Sequence, residues 1–421
     1  MKQLINYSNI FLPAIFIIIA GILGGFLASS ALLVLILMFP QKNVLEFLLV
    51  LLISVFFLAD NFTGPFAFMQ NFRFVMVFVS FLYTLKYNVF KNNNANYILP
   101  FTIVTFCITL LFSPLGITAV LRSLGFWVVG LVIFKIVNLL YSKNSKRASE
   151  LLVITSVTFV FYNIILWFSS FEFLYLAGRY KGLAGNPNGL ALVLMFNYAL
   201  LFLIKKRKDI TFTKHFFLVI RILIFLLIVL SGSRTALISV IAFQFLIWAN
   251  KRKVLGFISI VILSLLYLFI EEIINLSFLA EISFLRIETL ADASGRIEVW
   301  PVAWEEIKNA PIFGNGILYD DYFIKDYVSI NIGENASRHW GGVWNSYLSL
   351  LLDVGIIGCI AYAYFWIQAF RKSHYKNLAI AFVFMCLLSG FTESWMAASM
   401  NAFTPMMFLF WAIQSQPVTN K

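Results

Sequence analysis

The fold of this chain is decided by residues 215–253, which read HFFLVIRILIFLLIVLSGSRTALISVIAFQFLIWANKRK. Residues 215–230 and 235–249 are two almost wholly apolar runs, joined by the short turn Ser231-Gly232-Ser233-Arg234 and followed by a basic cluster at 251–253. A helix that crosses the roughly 30 Å hydrocarbon core of a bilayer needs about 20 mostly apolar residues. The stretch therefore predicts a hairpin of two membrane-spanning helices.

The composition of the whole chain has the same character. Of its 421 residues, 61% are hydrophobic and 12% are charged, and the mean hydropathy is +0.91. A soluble domain is about 45–50% apolar and 25% charged, so a soluble globular enzyme is excluded and an all-α polytopic membrane protein is predicted. The net charge of +12 is accounted for by basic cytoplasmic loops, so we expect no nucleic-acid partner.

Further apolar segments recur along the chain, and together with the hairpin they predict about 12 to 14 transmembrane helices. The first segment contains Gly24-Gly25 and Ser29-Ser30, so one tilted helix and two short helices both fit it; it has no cleavage pattern, so we expect it to remain as an anchor. The other segments are 10–38, 44–59, 73–85, 97–112, 120–141, 151–169, 188–204, 254–270, 345–367, 377–389 and 397–413.

The basic clusters predict the orientation of these helices. Successive clusters are separated by an even number of predicted spans, so all of them fall on one side, which is cytoplasmic by the positive-inside rule. The clusters are Lys42; Lys86 and Lys91; Lys143, Lys146 and Arg147; 205–208 with Lys214; 251–253; and Arg371, Lys372 and Lys376.

One long polar insert interrupts the apolar pattern and predicts three regions. Residues 1–270 form an N-terminal transmembrane bundle, 271–344 a large extracytoplasmic loop, and 345–421 the C-terminal transmembrane helices. The loop carries 12 of the 19 acidic residues, and 296–309 within it has a helical pattern that ends before Pro311. A connection of this length is expected to be functional, because helix connections are usually about 2–8 residues long.

The arginines are not confined to the predicted cytoplasmic side, where most of the lysines lie. An arginine at the outer end of a membrane helix is costly unless it meets an anion, and its planar fork of donors suits a phosphate group. The set predicts a diphosphate site, although binding to lipid headgroups or loop carboxylates is the alternative for any single member. The predicted outer arginines are Arg73, Arg122, Arg179, Arg234, Arg286, Arg296 and Arg338.

Four local contexts strengthen this prediction. In the 231–235 turn, Gly232 permits close backbone approach, while Ser233 and the next helix start supply anion-binding donors beside Arg234. Arg179 and Lys181 precede the rigid turn Gly185-Asn186-Pro187-Asn188. The other two contexts are Gly295-Arg296 followed by Trp300, and Arg338-His339-Trp340 leading into Trp344-Asn345-Ser346-Tyr347.

At these positions the sequence resembles the O-antigen ligase and polymerase superfamily, whose members are integral membrane glycosyltransferases acting on polyprenyl-diphosphate-linked glycans. The resemblance covers residues 178–358, and the N-terminal 170 residues match in hydropathy alone. The matching elements are Gly185-Asn186-Pro187-Asn188, Ser231-Gly232-Ser233-Arg234-Thr235, Gly295-Arg296-x-x-x-Trp300 with Pro311-x-x-Gly314-x-Gly316, and Asn345-Ser346-Tyr347-Leu348 with Gly355-x-x-Gly358.

The resemblance implies a GT-C-like helical fold and an extracytoplasmic active site in the bacterial inner membrane. It also implies an undecaprenyl-diphosphate-linked glycan as donor and a lipid-linked or lipid A-core acceptor. A chain-length regulator protein is a further expected partner. The diphosphate is expected to contact Arg179 and Arg234, together with Arg296, Arg338, Lys181 and Ser233. No metal is obligatory in the family, and no group of His, Cys and carboxylate residues here has metal-ligand spacing, so we expect no cofactor.

The chain departs from the ligase pattern at one position. That pattern has a histidine directly before the asparagine that precedes the G-x-x-G element, and here Trp344 stands before Asn345. A tryptophan cannot accept a proton, so the departure favours a polymerase over a ligase.

Three residues are candidates for the base that deprotonates the acceptor hydroxyl. His339 has a suitable ordinary pKa and lies five residues before Trp344. Asp353 is an ionisable group inside a predicted span, which is a functional candidate by default, although a structural carboxylate is nearly as good a reading. Glu393 follows a predicted span at its outer end and fits a role in orienting an arginine or the acceptor.

Aromatic and polar side chains near the outer face are candidates for sugar contacts. Trp300, Trp344, Asn345 and Tyr347 form this set, although interfacial tryptophan is also ordinary in membrane proteins. The leading functional prediction is polymerisation of lipid-linked repeat units, with an O-antigen ligase as the alternative. A lipid-linked oligosaccharide flippase is the alternative of another class, and it would instead place cations along a central cavity between repeated halves.

Overall fold

The computed structural model describes residues 2–39, 43–61, 64–91, 93–169, 171–252, 296–331, 342–396 and 401–417, with the backbone alone at 2–6 and 296–297. Within these residues the chain is almost entirely helical, which confirms the prediction of an all-α polytopic membrane protein. The helices are α1 (Lys2–Met38), α2 (Val44–Leu58), α3 (Met69–Leu85), α4 (Leu99–Phe112), α5 (Ile117–Trp167), α6 (Pro187–Arg207), α7 (Lys214–Ser231), α8 (Arg234–Lys251), α9 (Arg296–Asn309), α10 (Tyr319–Asn331), α11 (Ser346–Lys372), α12 (Lys376–Thr392) and α13 (Phe403–Gln414).

Short elements complete the described fold. Two 3-10 helices, Asn94–Ile98 and Glu172–Leu174, precede α4 and a small hairpin. The hairpin pairs β1 (Tyr175–Leu176) with β2 (Arg179–Tyr180) in antiparallel register, Leu176 opposite Arg179. Six described helical segments are long and apolar enough to span a membrane, and four shorter apolar helices accompany them.

Two helices contain breaks that bear on the predicted spans. The predicted spans 120–141 and 151–169 are continuous in α5, whose 51 residues would measure about 76 Å as one straight helix. Asn144 interrupts α5 with an extended backbone (φ −161°, ψ 92°), so α5 consists of two spans that meet at this residue. In α1 the break is at Gly25, with φ 71°, so the first apolar segment is two helical halves.

The core is built around two helices that are buried on nearly all sides. α6 packs against α7, α8 and α13, and α13 also packs against α5. All residues of α13 are buried, and Phe410 stacks on Phe382 of α12 with ring centroids 3.6 Å apart. A helix that is apolar on all sides is stable where its whole surface is covered and kept out of water, as in a protein core.

The loop helices form a second, smaller apolar cluster. Val299 and Ala303 of α9 meet Ile324 and Val328 of α10 and Leu352 of α11. The predicted helix over 296–309 is α9, so that prediction is confirmed. Residues 271–295 and 332–341 of the predicted loop and the predicted span 254–270 lie outside the described residues.

Residues 311–318 dock the loop onto a break in α11. Gly355 has φ 59°, and the backbone N–H of Gly316 donates to Asp353 O at 2.7 Å while Ile356 N–H donates to Pro311 O at 3.0 Å. A Cβ at Gly355 would lie 2.4 Å from Ile312 O, so glycine is required here. The Pro311-x-x-Gly314-x-Gly316 and Gly355-x-x-Gly358 elements of the sequence are therefore two sides of one contact.

Candidate active site

The β1–β2 hairpin positions Arg179. Its two turn residues, Ala177 and Gly178, both have positive φ, 49° and 72°, as a tight two-residue hairpin requires. Tyr180 on β2 is buried and its hydroxyl donates to Asn163 O at 2.5 Å. The hairpin is thereby fixed to the end of α5, and Arg179 is directed towards the α7–α8 turn.

Arg179 meets the 231–235 turn at close range. Its Nε donates to Ser231 O at 2.8 Å, and its Nη2 donates to Asn188 Oδ1 at 2.6 Å. Gly232 ends α7 in the left-handed region, with φ 64°, and a Cβ there would lie 3.2 Å from Arg179 Nε. Two sequence elements separated by 52 residues thus come together at a glycine that lets the guanidinium lie against the backbone.

Arg234 is the first residue of α8 and lies next to this contact in sequence. Ser233 occupies the N-cap position but its side chain makes no capping hydrogen bond, while the Thr235 hydroxyl is hydrogen-bonded to that of Thr392. The N-terminal amides of α8 are therefore not bonded by the cap side chain. A helix N-terminus with an arginine beside it is suited to an anion.

Glu393 joins this cluster from α12. Asn188 Nδ2 donates to Glu393 Oε1 at 2.9 Å, so Asn188 bridges Glu393 and Arg179. The backbone of Glu393 accepts from the Ser346 hydroxyl at 2.6 Å, which ties the end of α12 to the start of α11. Of the three base candidates, Glu393 is the one that the described residues place beside Arg179.

Asp353 has a different environment. Its Oδ2 accepts from Leu318 N–H at 3.1 Å and its Oδ1 accepts from Asp320 N–H at 3.0 Å. Both carboxylate oxygens thus bind backbone donors at the start of α10. This geometry favours a positioning role over that of a base, because each oxygen is already occupied by a backbone donor.

The remaining predicted residues fall into two groups. His339, Arg338 and the side chain of Arg296 lie outside the described residues. Lys181 is partly buried, and its charge acts on Asp60.

The aromatic and amide candidates have structural contacts near α11. Asn345 caps α11 by accepting from the Tyr347 and Leu348 N–H groups, and Tyr347 donates to Leu387 O at 2.7 Å. Trp300 donates to Val343 O at 3.1 Å and packs edge-on against Phe391, with centroids 5.4 Å apart. Trp344 has φ 52°, a conformation uncommon for a residue other than glycine. These contacts place Trp300 beside the end of α12 that carries Glu393.

Two carboxylates were missed in the sequence. Asp60, after α2, accepts from Asn186 Nδ2 at 2.6 Å, and burial raises its pKa to about 6 although Arg73 and Lys181 act in the opposite direction. Asp320 is buried in α10 and accepts from the Ser349 hydroxyl at 2.6 Å. Burial also raises the pKa of Asp320. An acidic residue directly after an apolar run was the available signal for Asp60.

Comparison with known proteins supports the same class of enzyme. Residues 217–363 match the model of a protein family described as O-Antigen ligase. The match contains the 231–235 turn, α9, the 311–318 segment and the break in α11, so the resemblance drawn from the sequence is confirmed over these residues. No curated protein matches the chain. The match supports a membrane enzyme of the O-antigen ligase and polymerase type.

Proposed function

We propose that this membrane enzyme of the O-antigen ligase and polymerase type polymerises lipid-linked oligosaccharide repeat units of O-antigen or a related surface polysaccharide. It transfers a glycan from undecaprenyl diphosphate to a sugar hydroxyl on the periplasmic face of the inner membrane. The observation that carries the proposal is the hydrogen bond of Arg179 to Ser231 O, against Gly232 and beside the start of α8. A chain-length regulator protein is a proposed partner.

The transfer is a displacement at the anomeric carbon. The bond from that carbon to a diphosphate oxygen breaks, a bond to the acceptor hydroxyl oxygen forms, and undecaprenyl diphosphate leaves with the electron pair. Attack from the face opposite the leaving group inverts the anomeric centre. The hydroxyl proton passes to a protein base.

Arg179 and Arg234 stabilise the leaving diphosphate in this proposal. Charge accumulates on the diphosphate as its bond to the sugar breaks, and fixed donors at that place lower the barrier without having to reorganise. Arg179 is held in position by Ser231 and Asn188, so its guanidinium is preorganised. The α8 amides add donors to the same anion. No metal is needed for this stabilisation.

Glu393 is the proposed base among the described residues, and His339 remains a candidate from the part of the loop outside them. Asn188 orients the Glu393 carboxylate by donating to Oε1. The role is tested by Glu393→Gln, which keeps the Asn188 contact but cannot take the proton. We expect its elongation rate to lose the wild-type dependence on pH.

The residue at position 344 favours a polymerase, and the family match favours a ligase, so the two observations indicate different acceptors. Trp344 stands where the ligase pattern has a histidine, which favours a polymerase, whereas the matched family is described as O-Antigen ligase. A ligase with a lipid A-core acceptor is therefore the second candidate. A flippase is disfavoured, because Arg179 hydrogen-bonds the α7–α8 turn and Arg234 directly follows that turn in sequence.

The glycan phenotype of a deletion strain tests the proposal. Lipopolysaccharide carrying a single repeat unit is expected, and complementation with the wild-type gene should restore long chains. Bare core with lipid-linked polymer accumulating would instead identify a ligase. Unchanged surface polysaccharide would refute both.

A further inference from the structure

A second pair of arginines lies on neighbouring helices away from Arg179. Arg73 on α3 and Arg122 on α5 each place the guanidinium carbon 5.3 Å from the centroid of the same ring, that of Phe74. The two guanidinium groups are therefore held on one aromatic side chain. Both arginines are partly buried, whereas Phe74 is exposed.

The pair lies at the predicted outer level of the membrane. Arg73 is the fifth residue of α3, which starts at Met69, and Arg122 is the sixth residue of α5, which starts at Ile117. Exposed apolar side chains surround them on the same helices, including Phe78 and Leu121. Two guanidinium groups held together beside an apolar surface suit a membrane-borne anion as ligand.

This pair is linked to the Arg179 cluster through one turn of chain. The charge of Arg73 acts on Asp60, and Asp60 accepts from Asn186 Nδ2 at 2.6 Å. Two residues further on, Asn188 accepts from Arg179. Both arginine sites are therefore connected to residues of the 185–188 turn.

A cleft lies close to Arg122 in the fold. Its volume is about 470 Å³, and its polar lining is Thr118 on α5 with Asp321, Tyr322, Lys325 and Asp326 on α10. Thr118 is one helical turn from Arg122 and on the same face of α5. Carboxylate, ammonium, phenol and hydroxyl groups all hydrogen-bond sugar hydroxyls, and Lys325 pairs with Asp321 at 2.7 Å. The cleft thus offers polar groups of both charges to sugar hydroxyls, one helical turn from Arg122.

We propose that Arg73 and Arg122 bind the diphosphate of a second lipid-linked oligosaccharide, the acceptor, and that the cleft between α5 and α10 holds its sugars. This inference rests on the proposed function, since a polymerase must bind two lipid-linked substrates at once. A diphosphate at the arginines places the attached sugars in the cleft. The lipid chain then runs along the apolar surface that carries Phe78 and Leu121.

The test uses purified full-length protein in lipid nanodiscs and two substrates. The donor is a polyprenyl-diphosphate-linked repeat unit, and the acceptor analogue has the same repeat unit joined through carbon, so that it accepts but cannot donate. Arg73→Gln/Arg122→Gln is expected to raise the KM for the analogue by about tenfold or more, since charge-assisted contacts are lost. The KM for the donor is expected to stay within about twofold.

Two further variants keep the test independent of folding. Asp321→Asn/Tyr322→Phe alters the cleft at partly or fully exposed positions and should also raise the analogue KM. Arg221→Gln is the matched control, because Arg221 also lies 5.5 Å from a phenylalanine ring, that of Phe202, but on α7 towards the predicted cytoplasmic side. Arg221→Gln is expected to leave both KM values unchanged.

The other sources of phosphate are separate arms of the experiment. If the arginines recognised any phosphate, phosphatidylglycerol in the nanodisc or free pyrophosphate would compete with the analogue as strongly as unlabelled analogue does. Either result would overturn the proposal. Elongation by wild-type protein with an unchanged analogue KM in Arg73→Gln/Arg122→Gln would refute this inference alone. Absence of elongation by wild-type protein would refute the proposed function.

Discussion

At the scale of single residues, Gly232 controls how Arg179 reaches its position. The left-handed backbone at Gly232, with φ 64°, ends α7, and the absent Cβ leaves room for Arg179 Nε. A larger residue at this position would press on Arg179 and strain its bonds to Ser231 O and Asn188. The glycine therefore contributes both a backbone conformation and a contact.

We expect Gly232→Ala to lower elongation beyond what backbone strain explains. The added Cβ costs about 1 kcal/mol in the left-handed region and also displaces the guanidinium. Gly64→Ala is the matched control, because Gly64 has φ 80° but open space around its Cβ position. Elongation rate and melting temperature are measured together. Equal rates for the two variants would contradict the role assigned to Gly232.

Asp60 gives a pH dependence of stability. Its pKa is about 6 in the folded protein against an ordinary value of 3.8, so between pH 4 and pH 6 folding takes up a proton. The contribution of Asp60 is therefore greatest at the lower pH and is lost as the pH rises through about 6.

We expect Asp60→Asn to reduce the change of melting temperature with pH between pH 4 and pH 6. Asparagine still accepts from Asn186 but does not titrate. Glu305→Gln changes an exposed carboxylate on α9 and should keep the wild-type slope. Thermal unfolding in detergent at a series of pH values measures the effect, and a wild-type slope in Asp60→Asn would count against it.

At the scale of elements, the contact between the 311–318 segment and α11 organises this end of the helical bundle. Gly355 interrupts α11, the 311–318 segment fills the break with backbone hydrogen bonds, and Asp353 binds the first amides of α10. α9, α10 and the start of α11 then share one small apolar cluster. The loop is held at the mouth of the transmembrane bundle by this cluster and by the break.

The two readings of Asp353 lead to different outcomes for two substitutions. If it positions α10, Asp353→Asn keeps one acceptor and much of the activity, whereas Asp353→Ala orphans two amides at about 1–3 kcal/mol each. We expect the alanine variant to expose α10 to protease and to elongate slowly. Complete loss of elongation in Asp353→Asn with α10 still protected would establish it as a base instead.

At the scale of the whole molecule, the fold class, α9 and most helix positions follow from hydropathy and turn residues. These signals are local. The joining of two predicted spans in α5 does not follow, because the break at Asn144 is a single extended residue. The pairing of Asp60 with Asn186, 126 residues apart, and the docking of Pro311 against Ile356 are likewise tertiary contacts that no local pattern encodes.

Topology remains a prediction, and cysteine labelling tests it. In a variant without the native cysteines, Ile330→Cys on α10 should react with an impermeant reagent on intact spheroplasts, since Ile330 is 75% exposed. Lys143→Cys, beside the break in α5, should react only after lysis. The reverse pattern would invert the orientation and place the arginine cluster on the cytoplasmic side.

The central claim, that Arg179 and Arg234 stabilise the leaving diphosphate, is tested most directly by the rate of glycan transfer in proteoliposomes. Purified protein is supplied with an undecaprenyl-diphosphate-linked repeat unit, and released undecaprenyl diphosphate is measured. We expect Arg179→Ala and Arg234→Ala each to slow release by about 10²–10³-fold, while Arg221→Gln leaves it unchanged. Release of undecaprenyl diphosphate at the wild-type rate by both alanine variants, when these variants are correctly folded, would contradict the claim.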